Sequence, residues 1–217
     1  MKQNMSEDQK IIFDSIYTQV RSGFYSIEDI QENIIEEIEN NGFEDEISEE
    51  WAYDHIDKVY TQLLEDHQQW ESPTQTERLI NAFDELAESK IIALHYTGYS
   101  QEDGEYEVEE VERTLRDNDE KSDGYCFYHG IDLEKAVLGE GLNITFQKID
   151  NVSDIIAKEI AQKIIEVLKK HDLEVSWNGK ANSPIHLPNF KWERVYNEED
   201  RDLLNYNFVI DSILLNK

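Results

Sequence analysis

The chain has little that would crosslink it or anchor it in a membrane. It contains one cysteine in 217 residues, which excludes a disulfide framework within the chain. No stretch approaches the ~20 consecutive apolar residues that span a bilayer, and the first residues form no apolar signal core. We therefore expect a cytoplasmic protein that does not associate with membranes.

Basic residues are also scarce. The sequence has 20 Lys and Arg residues against 49 Asp and Glu residues, a net charge of -29. A field of this sign repels nucleic acid and anionic lipid, because the cations that neutralise phosphate are missing. We therefore expect a basic protein partner and no direct binding to nucleic acid. The alternative is that the acidity only keeps the protein in solution.

The short motifs of common enzyme classes are absent. The sequence contains no phosphate-binding loop, no dinucleotide-binding glycine pattern, no nucleophile elbow and no His-Glu-x-x-His zinc motif. The sequence therefore predicts no catalytic residue, no metal site and no cofactor. It favours a role other than catalysis.

The first ninety residues carry four helical start signals, each followed by an apolar stripe. Ser6 and Ser26 begin capping boxes. Ser48 begins a third helix, and Pro73 is placed just inside the first turn of a fourth. Isoleucine and other apolar residues then recur at helical spacing. We predict an acidic helical region of about four helices over residues 1–90.

After residue 90 the hydrophobic pattern changes, and strands alternate with helices. The predicted strands are residues 91–97, 125–129, 142–146, 173–177 and 185–187. The predicted helices lie around residues 108–115, 130–137, 150–171, 198–204 and 208–215. The expected fold class is α+β (or α/β), with the helical region packed on a mixed sheet of four to five strands in residues 91–217.

The acidic residues are concentrated in two places. Residues 1–90 hold 23 acidic and 6 basic side chains, and residues 101–123 hold 11 and 3. Such runs on a helix are typical of a solvated face. They also suit a surface that imitates nucleic-acid phosphate, or one that docks on a basic protein. The candidate partner-binding residues are Glu28, Glu32, Glu36, Glu37, Glu105, Glu109, Glu110 and Glu112.

A second candidate site depends on one strand pairing. If the strands 91–97 and 125–129 are parallel neighbours, their carboxyl ends lie together, at the edge where open α/β sheets bind ligands. The candidate ligand-binding residues at that edge are His95, Tyr96, Tyr99, Asp103, His129 and Asp132. Two further residues that we expect there are Asp123 and Tyr128.

Three chemistries could use this edge. Cys126 and His129 could form a nucleophile pair, although residues three apart on an extended strand face opposite sides. His95, His129 and Asp132 could bind a metal ion. Asp132 could orient His129 as a general acid or base. The local alternative, which we favour, makes Asp132 the N-cap of a short helix and leaves His129 hydrogen-bonded at the end of its strand.

Three segments, in order along the chain, resemble a bacterial family. They are His95–Gly104, Gly124–Val137 and Gly141–Phe146. Together they are similar to the family known as domain of unknown function 6891, over roughly residues 90–192. The resemblance implies a bacterial, cytoplasmic protein. It brings no established activity, so it assigns no catalytic role to any residue.

These observations lead to two functional hypotheses. The first is an acidic inhibitor, of the immunity-protein or antitoxin kind, that engages a basic protein partner. It is motivated by the charge and by the lack of catalytic motifs. The second is a small-ligand-binding protein or a metal-dependent enzyme with its site at the strand ends near His95 and His129. The first places function on the acidic helices, and the second places it at the edge of the sheet.

Overall fold

The computed structural model of the chain describes residues 5–151 and 153–216. Within these ranges the elements follow in the order α1 (Glu7–Ser22), α2 (Ile27–Asn41), α3 (Glu49–His67), α4 (Gln75–Glu88), β1 (Ile91–Leu94), α5 (Gln101–Asp117), β2 (Gly124–Phe127), α6 (Gly130–Val137), β3 (Leu142–Gln147), α7 (Asp154–Lys170), β4 (Ile185–Leu187) and α8 (Asn207–Leu215). Helices come first and a sheet with further helices follows, so the predicted α+β class is confirmed. Among the described residues no helix combines the length and the apolarity that a membrane span requires.

The chain folds into two compact units. Of the described residues, the first unit contains those up to Ser72 together with Trp192–Arg201, and the second contains those between Pro73 and Lys191 and those from Asp202 onward. The sequence pattern groups α4 with the first three helices, whereas in the structure α4 lies in the second unit and packs on β1, α7 and α8. Apolar periodicity shows which face of a helix is buried, but it does not show which element buries that face.

Helices α1, α2 and α3 begin where the sequence predicts. The hydroxyls of Ser6 and Ser26 accept hydrogen bonds from the backbone N–H three residues later, at 3.1 and 3.0 Å, and both residues complete capping boxes. The hydroxyl of Ser48 caps α3 in the same way. Gly23 and Gly42 end α1 and α2 in the left-handed conformation, which glycine adopts at little cost.

The apolar faces of these three helices form the core of the first unit. Isoleucine dominates this core because the helices carry it at a spacing of three or four residues, which places it on one face. Its buried members are Ile12, Phe13, Ile16, Val20, Ile30, Ile34, Ile38, Ile47, Ala52, Ile56, Val59 and Leu63.

The segment Trp192–Arg201 joins the first unit at the end of α1. The indole N–H of Trp192 donates to the carbonyl of Ser22 at 2.9 Å, and the Nε–H of Arg194 donates to the carbonyl of Gly23 at 2.9 Å. The last carbonyls of a helix have no partner within the helix. These two side chains therefore satisfy groups that the end of α1 would otherwise leave to water.

Helix α4 begins after Pro73 rather than at it. The N-cap is Thr74, whose hydroxyl accepts from the backbone N–H of Glu77 at 3.1 Å, while the Glu77 carboxylate accepts from the backbone N–H of Thr74 at 2.6 Å. The expected position of Pro73 inside the first turn is therefore wrong. The capping box sets the start of the helix, and the proline precedes the cap.

The second unit is built on a mixed sheet with the strand order β1-β2-β3-β4. Strand β1 pairs with β2 in parallel, and the β2–β3 and β3–β4 pairs are antiparallel. All four residues of β1 and of β2 are buried, as is typical of parallel strands covered on both faces. On one face they pack with α5 and α8, and α4 and α7 also contact these strands.

Two predicted elements are wrong. Residues 173–177 form no strand; only Ser176 makes an isolated antiparallel bridge, to His186 of β4. Residues 198–204 form no helix. There the side chains of Asn197 and Asp202 accept hydrogen bonds from backbone N–H groups two residues later, and such local bonds compete with helical ones.

Candidate functional site

Strands β1 and β2 are parallel neighbours, as the hypothesis of a site at the strand ends requires. Beyond the strands, the backbone N–H of Thr97 donates to the carbonyl of Tyr128 at 3.1 Å. The backbone N–H of Gly130 donates to the carbonyl of Gly98 at 3.0 Å. The two loops that leave the strands therefore run side by side, and the predicted edge exists.

Asp123 does not lie at this edge. It precedes β2, and its backbone N–H donates to the carbonyl of Lys90 at 2.8 Å, just before β1 begins. Its carboxylate lies 3.4 Å from Nζ of Lys163 on α7. The expectation that Asp123 belongs to the strand-end site is therefore wrong, because the residue lies at the amino end of the parallel pair.

His95 lies in the core beside α4. It is 4% exposed, and its Nδ1 lies 3.1 Å from the hydroxyl of Tyr128. Its ring stacks on Phe83 with the ring centroids 4.6 Å apart. Tyr96, the next residue, is half-buried and has a φ of 47°, two residues beyond the end of β1. The packing of His95 between aromatic rings is that of a core histidine.

His129 and Asp132 are in contact at the start of α6. His129 is the N-cap residue and Asp132 occupies the third helical position, so the expected N-cap role of Asp132 is wrong. Oδ2 of Asp132 lies 3.1 Å from Nε2 of His129 and 3.5 Å from the backbone nitrogen of the same residue. The carboxylate therefore orients the histidine, as the general acid–base hypothesis requires.

This pair continues into a chain of four polar side chains, which we call the His129–His186 network. The amide of Asn143 donates to Oδ1 of Asp132 at 3.2 Å, and Nδ1 of His186 lies 2.9 Å from Oδ1 of Asn143. Asn143 and His186 are register partners on β3 and β4. Sequence reasoning missed both, since the pairing of their strands was not predicted; the polar positions that alternate with buried ones along β3 were the available signal.

The His129–His186 network is better suited to a structural role in the interior than to catalysis. Burial raises the pKa of Asp132, while the charge of His129 and the amide of Asn143 act in the opposite direction. A general base needs a ring nitrogen that can reach a substrate. In His129, Nε2 faces Asp132 and Nδ1 is buried, with no hydrogen-bond partner among the described residues. The network therefore holds α6 against β3.

The structure also bears on the metal and thiol hypotheses. Among the described residues, no three His, Cys, Asp or Glu side chains come together as a group that could hold a metal ion. His95, His129 and Asp132 therefore do not form the metal site considered above. Cys126 is fully buried, and burial raises the pKa of its thiol. It remains a thiol inside the core rather than a reactive thiolate.

Tyr99 and Asp103 belong to the loop that leads into α5. The carboxylate of Asp103 accepts from the backbone N–H of Tyr99 at 3.2 Å and of Ser100 at 2.9 Å. The hydrogen bonds from Ser100 lower the pKa of Asp103. The ring of Tyr99 is exposed, and the charge of Glu134 raises the pKa of its hydroxyl. Both residues lie near the edge, where Asp103 has a local capping role.

The predicted acidic surface of α2 lies mostly in solvent. Glu37 is the exception: it is half-buried, and the hydroxyl of Ser15 donates to it at 2.5 Å. The helix contains no Lys or Arg. Its exposed carboxylates, which we call the acidic face of α2, are Glu28, Asp29, Glu32, Glu36 and Glu39.

The predicted acidic surface of α5 is less uniform. Glu109 is exposed and Glu105 is half-buried. Glu110 lies 2.7 Å from Arg113. Glu112 is 3% exposed and forms part of the buried side of α5. It therefore does not belong to a partner-binding surface, because four residues after the buried Val108 the helix turns the same face inward.

The carboxylate of Glu112 is used inside the second unit. It accepts from the Nε–H of Arg116 at 2.9 Å and from the backbone N–H of Ser122 at 3.0 Å. Arg116 also lies 3.0 Å from Asp150. Glu112 thus links α5 to the loop before β2.

Comparison with known families assigns the chain to a family. The model of the family described as "Domain of unknown function (DUF6891)" matches residues 5–196, and the chain belongs to this family. The match extends well before the region where the sequence motifs indicate the resemblance, so the helices of the first unit are part of the family's pattern. No curated protein and no solved structure is significantly similar to the chain.

Proposed function

We propose that this member of the DUF6891 family is an acidic binding protein that neutralises a basic protein partner, in the manner of an immunity protein or an antitoxin. The observation that supports the proposal is the acidic face of α2. Its five carboxylates are exposed, and none of them forms an ion pair with another described residue.

The acidic face of α2 lowers the stability of the free protein. Glu28, Glu32 and Glu36 follow one another at intervals of four residues, which makes them neighbours on the helix surface. Like charges at this spacing destabilise a helix by roughly 0.2–0.5 kcal/mol per pair. The cations of a basic partner would remove this repulsion, so the face is better suited to a complex than to the isolated chain.

The experiment is a capture of partners from the native lysate with the tagged chain, at low and at high salt. The test variant combines Glu32→Gln, Glu36→Gln and Glu39→Gln, which remove three charges from the acidic face of α2. The control variant combines Glu88→Gln, Glu140→Gln and Glu159→Gln, which remove three exposed charges from the second unit. Both variants have the same net charge.

We expect the wild type and the control variant to capture the same basic protein, and the test variant to lose it. Capture should weaken as salt is added, because the screening length falls from about 10 Å at 0.1 M to about 3 Å at 1 M. Equal loss in both variants would show an effect of net charge alone, and it would contradict a specific role for α2.

The alternative, a ligand-binding or enzymatic site at the strand ends, has weaker support. His95 packs between aromatic rings, and His129 faces Asp132. Under this alternative, His129→Ala and Asp132→Ala would abolish binding of a small ligand and leave the fold intact. Under the structural role of the His129–His186 network, both changes lower the free energy of unfolding.

A further inference from the structure

The first unit contains a cleft whose walls combine aromatic rings with carboxylates. Its volume is about 640 Å³, and Tyr25, Tyr60, Tyr196, Glu28 and Glu198 line it. These residues come from the loop before α2, from the first turn of α2, from α3 and from the segment that returns to this unit, so the fold rather than local sequence brings them together. A pocket of this size accommodates a whole side chain.

The charge of the cleft is negative. No lysine, arginine or histidine is among the described residues that line it. The two arginines nearest in sequence have other contacts: Arg21 lies 2.6 Å from Asp66, and the guanidinium of Arg194 lies over the ring of Phe24, 5.5 Å from its centroid. The two glutamates of the cleft therefore face solvent without a cation of the lining to offset them.

The cleft includes the amino end of α2, which in another setting would attract an anion. Here that end is already capped. The hydroxyl of Ser26 accepts from the backbone N–H of Asp29 at 3.0 Å, and the carboxylate of Asp29 accepts from the backbone N–H of Ser26 at 3.2 Å. An anion would also meet the charges of Glu28, Asp29 and Glu198. The local field therefore favours a cation.

We propose that this tyrosine cleft binds an arginine side chain of the basic protein partner. The proposal rests on the proposed function, because the partner supplies the side chain. A guanidinium group is planar and weakly hydrated, and it stacks on aromatic faces while it pairs with carboxylates. Tyr25, Tyr60 and Tyr196 provide the aromatic faces, and Glu28 and Glu198 provide the carboxylates.

The test uses a peptide probe and does not need the natural partner. Acetyl-Gly-Arg-Gly-amide is titrated into the full chain, with backbone chemical shifts measured by NMR. The matched probe replaces arginine by citrulline, which has the same shape and no charge. We expect the arginine probe to shift signals around Tyr25, Tyr60 and Tyr196, and the citrulline probe to leave them unchanged. Equal shifts with both probes, or shifts confined to other surfaces, would overturn the proposal.

Substitutions test separately how the aromatic ring and the carboxylate contribute to binding of the arginine probe. Tyr196→Leu should weaken binding of the arginine probe by roughly 2- to 30-fold, the range of one cation–π contact, whereas Tyr196→Phe keeps the ring and should retain most of it. Glu198→Gln should weaken binding as well. Tyr106→Leu, at an exposed tyrosine of the second unit, is the control and should have no effect. Equal effects of Tyr106→Leu and Tyr196→Leu would overturn the proposal.

The two experiments distinguish a wrong proposal about the cleft from a wrong proposal about the function. The variant of Glu32, Glu36 and Glu39 leaves the cleft intact, and it tests partner capture by the acidic face of α2. If that variant captures the partner as the wild type does, the proposed function fails. If it loses the partner while the arginine probe shows no charge-dependent binding, the function stands and the cleft proposal fails.

Discussion

The second unit and helix α2 of the first unit differ in how their carboxylates are paired. In the second unit, Glu85 lies 2.8 Å from Lys170 and 3.0 Å from His171, and Glu112 lies 2.9 Å from Arg116. In the first unit the acidic face of α2 carries five exposed carboxylates on a helix without Lys or Arg. The second unit thus offsets many of its charges internally, whereas α2 leaves its charges to solvent or to a partner.

This difference shows that the net charge of a protein does not distinguish paired from unpaired carboxylates. A sum of -29 gives the sign of the field, but the paired and the unpaired carboxylates contribute to it equally. Paired, buried carboxylates hold elements together and cost stability when they are removed. Unpaired, crowded carboxylates repel one another, so their removal stabilises the free chain. The comparison therefore predicts opposite signs for substitutions in the two regions.

The largest change in the free energy of unfolding is expected for a substitution in the His129–His186 network. Asp132→Ala leaves His129 and the amide of Asn143 without their buried acceptor, and it should lower the free energy of unfolding by about 3 kcal/mol. Urea denaturation measures the change. Asp132→Asn is the control; it keeps a side-chain oxygen for Asn143 and should cost less. A loss below about 1 kcal/mol for Asp132→Ala would show that the network contributes no more than an ordinary surface contact.

A smaller loss is expected at Glu112. Glu112→Ala removes the acceptor of the Arg116 guanidinium and of the Ser122 backbone N–H, and it should cost about 2 kcal/mol. The matched change is Glu109→Ala, at an exposed glutamate of the same helix, which should stay within about 0.5 kcal/mol of the wild type. If urea denaturation showed the same loss for Glu112→Ala and Glu109→Ala, the paired and the unpaired carboxylate of α5 would contribute equally to stability, contrary to this prediction.

On α2 we expect substitutions of glutamate to raise the free energy of unfolding instead of lowering it. The combined change Glu32→Gln, Glu36→Gln and Glu39→Gln removes like-charge neighbours, and it should raise the free energy of unfolding by about 0.5–1 kcal/mol at low salt. The gain should shrink as salt screens the charges of the wild type. The control variant at Glu88, Glu140 and Glu159 should show no comparable gain. A loss of stability in the α2 variant would mean that the face has internal partners.

Local signals made much of the fold predictable. The capping serines at positions 6, 26 and 48 and the terminal glycines at 23 and 42 act within one turn of their helices, so the sequence alone identifies them. The parallel pair of β1 and β2 was a condition of the strand-end hypothesis, and it is confirmed. The segment 173–177 has the composition of a strand, but a strand requires a partner, and β4 offers it a single bridge.

The site was less predictable than the fold. His129 and Asp132 are three residues apart, so their contact follows from the local turn of α6. Asn143 and His186 are 43 residues apart and meet only through the register of β3 and β4, which no local pattern specifies. The charge of Glu112 predicts a surface position, whereas its helical spacing from the buried Val108 indicates burial, as the structure shows.

The smallest effect is expected at Glu85, and it depends on pH. The hydrogen bonds from Lys170 and His171 lower the pKa of Glu85 from its ordinary value of 4.5. A carboxyl whose pKa is lowered by folding stabilises the native state above that ordinary value, and the contribution is lost as the pH falls through the lowered one.

Glu85→Gln should therefore lower the free energy of unfolding at pH 7 by about 0.5 kcal/mol, since the pair is only partly shielded from solvent. The difference between variant and wild type should vanish in acid, below the lowered pKa. Urea denaturation of both proteins at several pH values measures it, with the exposed Glu88→Gln as the control. A difference that persists unchanged in acid would show that Glu85 acts through packing rather than charge, and would remove one of the pairs that distinguish the second unit from α2.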